Sequence, residues 1–117
     1  SLISPQNIFS PHQNKKMKAI YQSINDRSKI KAAMFNIRAT FKDIRSYEKL
    51  LNTPILAKDM DEAKTRQKIN SLINEAVNEL AAIEPLCKIY HELFAGEFEE
   101  MKTALHKIVN GQKLVAI

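Results

Sequence analysis

Residues 27–52 read RSKIKAAMFNIRATFKDIRSYEKLLN, and the pattern inside this stretch decides the fold. Ile30, Met34, Ile37, Phe41, Ile44 and Leu51 recur at steps of three, four and seven, which sets their side chains on one face of an α-helix. Thr53-Pro54 closes the segment, because a residue before proline is pushed out of the α region.

Working upstream, Ser10-Pro11 has the form of a cap followed by proline at the first helical position. Met17, Ile20, Tyr21 and Ile24 then share a face. Continuing that face would carry Arg27, Ser28 and Lys31 into a core, so the spacing predicts a turn at Asn25-Asp26. Two helices follow, over 11–25 and 27–52. Residues 1–10 contain Pro5 and no helical period, and read as an extended arm.

Downstream, Asp59-Met60-Asp61-Glu62 reads as a helix start, with acids where the helix dipole favours negative charge. Ile69, Leu72, Ile73, Ala76, Leu80 and Ile83 form the next apolar stripe. Proline normally kinks or ends a helix, yet Ile83, Cys87, Tyr90 and Phe94 keep the rhythm past Pro85. The expectation is a kinked third helix over 60–95 that stops at Gly96. A fourth helix over 97–110 would carry Glu97, Glu99 and Glu100 in its first turn, bury Phe98, Met101, Leu105, Ile108 and Val109, and stop at Asn110-Gly111. The fold expected is all-α: a single four-helix bundle-like domain over 11–117, with two long central helices and the third kinked at Pro85.

Composition agrees. A chain of 117 residues with 44% hydrophobic residues matches one globular domain rather than a disordered segment. A lone cysteine, Cys87, excludes an internal disulfide and points to a reducing compartment. No apolar run approaches the roughly 18 residues needed to cross a bilayer. The chain opens at Ser1, and we read it as a module of a larger protein.

Charge is distributed unevenly. Residues 1–58 hold 11 Lys or Arg against 3 Asp or Glu, and residues 59–117 hold 7 against 10. On a projection of 100° per residue, Arg27, Lys31, Arg38, Lys42, Arg45 and Lys49 fall within a sector of about 60°, beside the apolar stripe. Phe35 projects near the outer edge of that row. The six cations span about 30 Å along the helix axis. If the row is architectural, Glu75, Glu79 and Glu92 should lie across a helix interface from Arg38, Lys42 and Arg45.

Catalytic constellations are sparse. The chain has no glycine-flanked serine nucleophile and no phosphate-cradling glycine loop. Phe9, Lys88 and Thr103 stand three residues before His12, His91 and His106, so the Glu-x-x-His spacing of a di-iron bundle fails. Cys87 and His91 share a helical face, but two ligands fall short of a structural zinc site, and a small core cysteine is the simpler reading. His106 suits the C-terminal end of a helix as a cation. Tyr21, Tyr47 and Tyr90 read as core edges with hydroxyls reaching water.

The function expected is therefore non-enzymatic and without cofactor, metal or small-molecule substrate. The basic face of the second helix would dock on an anionic partner, with anionic membrane lipid headgroups ahead of nucleic acid. Arg27, Lys31, Arg38, Lys42, Arg45 and Lys49 would make the contacts and Phe35 an apolar one. Zinc-finger spacing and aromatic stacking rows are missing, which leaves only non-specific backbone binding for nucleic acid. The alternative is a protein–protein adaptor that takes a partner helix in an apolar groove, with Tyr47, Leu50, Ile55, Leu56 and the tail Leu114 to Ile117 as surplus apolar residues. A cytoplasmic or peripheral membrane location suits either.

Overall fold

A computed structural model describes residues 11–116, with side chains from His12 to Gly111. The expected arm over 1–10 and the side chains of the apolar tail lie outside the described residues. Within them the chain is helical, without strands. In chain order the helices are α1 (Pro11–Asn52), α2 (Pro54–Ala57), α3 (Glu62–Ile89) and α4 (His91–Ala116).

The expected turn at Asn25-Asp26 does not form. α1 runs unbroken for 42 residues, about 63 Å of helix. The apolar phase does slip there, but a slip forces a break only when both stripes face the same core. Residues 12–25 contribute no buried side chain, and the first buried position of α1 is Asp26. The backbone therefore has nothing to turn towards.

α1 ends at Asn52 as expected, and Pro54 opens the short α2. Asp61 caps α3: its carboxylate accepts the Lys64 amide at 3.1 Å. Pro85 lies inside α3, which continues to Ile89. The break comes at Tyr90 rather than Gly96. Tyr90 adopts φ −103°, ψ 43°, outside the helical region. Its amide donates to the Leu86 carbonyl at 3.0 Å, closing α3, and its own carbonyl accepts from Leu93 at 3.0 Å and Phe94 at 3.2 Å, opening α4. One residue thus caps two helices. Gly96 and Gly111 sit within α4, neither with positive φ, so neither acts as a stop. Glu97, Glu99 and Glu100 consequently lie beyond the first turn, where Glu92 stands instead.

The core joins three helices. Ile30, Met34, Ile37, Phe41 and Ile44 of α1 meet Ile69, Leu72, Ala76, Leu80, Ile83 and Cys87 of α3, with Phe94, Phe98, Met101 and Ile108 from α4. Full burial of each large side chain stabilises the fold by about 1.5–3 kcal/mol. The connector 53–61 joins the C-terminal end of α1 to the start of α3, while Asp26 meets Tyr90 at the other end, so α1 and α3 run antiparallel. The described residues measure 73 × 30 × 16 Å with a radius of gyration of 21.2 Å, well above the roughly 13 Å of a compact chain this long.

Candidate functional site: the basic face of α1

The six cations are separated by the structure into two groups. Lys31, Lys42, Arg45 and Lys49 are exposed, and no carboxylate among the described residues lies within ion-pair distance of them. Arg38 pairs with Glu97 of α4 at 2.7 Å, both side chains about half exposed. Arg27 is half-buried, its Nε donating to the Ser23 carbonyl at 3.3 Å. Phe35 is 73% exposed, as its place at the edge of the row implies.

The acids across the interface are not the ones expected. Glu75, Glu79 and Glu92 make no ion pair with Arg38, Lys42 or Arg45 among the described residues. Glu79 buries one carboxylate oxygen without a hydrogen-bond partner among the described residues. The neighbouring acids come from α4: Glu97 and Glu100 line a groove of about 250 Å³ with Arg38, Lys42 and Arg45. The middle of the basic row is thus partly balanced, and Lys31 and Lys49 stand at its ends.

A polar latch at the α3–α4 corner was not foreseen. The Tyr90 hydroxyl donates to Asp26 Oδ2 at 2.8 Å, and Gln22 Nε2 donates to Oδ1 at 2.8 Å, so both oxygens of this buried carboxylate are satisfied. The bond to Asp26 holds the Tyr90 phenol above its usual range, burial adds to this, and Ser23 and Arg27 oppose it. A signal for the latch exists in the sequence: Asp26 stands four residues before Ile30, in phase with the core stripe.

Cys87 and His91 do not assemble into a reactive pair. Cys87 is 3% exposed, and burial first, then Glu84 and Glu97, push its thiol above the ordinary value. A protonated, covered thiol is a poor nucleophile. His91 and His106 are exposed. Among the described residues no group of three or more His, Cys, Asp or Glu is placed to hold a metal ion, and no helix is long and apolar enough to cross a membrane.

No family model, curated protein or solved structure matches this chain.

Proposed function

We propose that this chain is a non-enzymatic helical module that docks on anionic membrane surfaces through the basic face of α1. The observation that carries the reading is the set of four exposed cations, Lys31, Lys42, Arg45 and Lys49, without an ion-pair partner among the described residues, along about 27 Å of one helix. Each cation close to an anionic leaflet contributes about 1 kcal/mol, and the attraction decays within a Debye length of about 10 Å at 0.1 M salt. Binding should therefore be modest and strongly salt-dependent. Arg38 contributes less, because Glu97 already occupies it. In this reading α1, α3 and α4 act as a bundle, with α3 bent at Pro85, whose task is to hold the row in line.

The test is co-sedimentation with vesicles of phosphatidylcholine alone or mixed with phosphatidylserine. Wild type should pellet with the anionic vesicles at low salt, lose binding as salt rises, and ignore the neutral ones. Lys31→Glu/Lys42→Glu/Lys49→Glu should stay in the supernatant. Equal recovery of wild type and variant on anionic vesicles sinks the proposal. Tighter, steeply salt-dependent binding to duplex DNA or to RNA would reassign the face to nucleic acid.

A second reading, the adaptor, is favoured by one observation: Ile55 and Leu56 on α2 are 85% and 52% exposed. Tyr47 and Leu50 are half-buried, so only part of the expected apolar surplus faces outward.

A further inference from the structure

The unbroken course of α1 brings two features of the sequence into one register. Counting about 100° per residue from Arg27, Met17, Ile20, Tyr21 and Ile24 project into the same sector, about 120° wide, as Lys31, Phe35, Lys42 and Lys49. A turn at Asn25-Asp26 would have separated them. Asp26, Asp43 and Glu48, the acids of α1, all project outside this sector. Ile20, Tyr21, Ile24 and Phe35 are 56%, 63%, 48% and 73% exposed, so this apolar set is not used by the core. The same helix buries Ile30, Met34, Ile37, Phe41 and Ile44 on a different face.

We infer that α1 lies flat in the headgroup region of an anionic bilayer, with Ile20, Tyr21, Ile24 and Phe35 reaching into the acyl boundary. Lys31, Lys42, Arg45 and Lys49 meet lipid phosphates and carboxylates from the same side. This rests on the docking proposed above and adds its orientation and its insertion step. A face to which α1 itself contributes cations and no carboxylate, with Glu97 and Glu100 of α4 reaching only its Arg38–Arg45 flank, matches a negative surface, and apolar side chains on that face match the depth just below it. Tyr21 suits the boundary, since its ring is apolar and its hydroxyl stays wet. Nucleic acid offers the charge but no acyl layer for aliphatic side chains, which is why the bilayer is the partner chosen. The rest of the molecule holds α1 from behind through its core face, leaving the outer face to the lipid.

Three proteins decide the matter, each first checked for a cooperative melt, and the serine variant also for an unchanged helical far-UV spectrum. They are wild type, Ile20→Ser/Ile24→Ser/Phe35→Ser, and Asn25→Pro, which keeps every side chain of the face but interrupts α1 between its two halves. Binding to phosphatidylserine-containing vesicles at 0.15 M salt and the pressure rise under an anionic monolayer are measured for each. The triple serine variant should bind at least ten-fold more weakly and raise no monolayer pressure, while residual binding at low salt persists through the cations. Asn25→Pro should lose most of the pressure rise. Wild-type affinity and pressure rise in the serine variant would overturn the insertion and leave the electrostatic docking standing. Failure of wild type to bind anionic vesicles at all would overturn both.

Discussion

At Tyr90 a single hydroxyl ties the far end of α1 to the corner where α3 gives way to α4, through its 2.8 Å bond to Asp26. The neighbouring carboxylate favours the protonated phenol in the folded chain, so the group titrates above the value near 10 that it has when unfolded. Its contribution is complete below pH about 10 and fades as pH climbs through the raised folded value. Replacing Tyr90→Phe should lower the urea midpoint at neutral pH. The gap between the two proteins should hold constant up to pH about 10 and narrow above it, as urea titrations from pH 8 to 11 would show. A gap independent of alkaline pH would mean that the phenol's proton plays no part. At this scale the sequence was legible only in outline. Each residue of the stripe from Ile30 to Ile44 is buried as its spacing implies. The role of Asp26 was hidden because its partner stands 64 positions away, and local periodicity carries no information on such a pairing.

Helix boundaries followed packing more than punctuation. Glycine spacing suggests stops at Gly96 and Gly111, yet α4 contains both, while α3 continues through Pro85 as the apolar rhythm implies. The true break falls at Tyr90, a residue with no intrinsic preference for ending helices. Cys87 and Phe94 stay buried on either side of it, so the apolar rhythm crosses the corner and conceals it. Tertiary contacts outweigh propensities of about 1 kcal/mol per glycine. Gly96 retains that penalty without an evident return. A Cβ added there meets nothing within 4 Å, and its φ is not positive. Gly96→Ala should therefore stabilise the protein by about 1 kcal/mol, read as a higher thermal midpoint by a few degrees. A lower midpoint would show that the glycine serves a contact or motion outside the folded body.

Across the whole molecule, stability should be graded along α1. Ile30 to Ile44 are clamped against α3 and α4, whereas residues 12–25 bury no side chain in the core. Isolated helices of that length are marginal in water, so this end draws its order from continuity with the packed part. Hydrogen exchange monitored by mass spectrometry should find residues 30–44 and 69–87 protected close to the global unfolding limit, with residues 12–24 exchanging orders of magnitude faster. Anionic vesicles should slow the exchange of 12–24 in wild type and leave it unchanged in Ile20→Ser/Ile24→Ser/Phe35→Ser. Uniform protection along α1 in the free protein would show that its first turns are packed after all.

The 73 Å long axis against a 16 Å short one has a practical corollary in solution. A body so drawn out meets far more hydrodynamic drag than a sphere of equal mass. On a sizing column calibrated with globular standards a lone chain elutes early and mimics an assembly, so stoichiometry is better read by light scattering or sedimentation equilibrium.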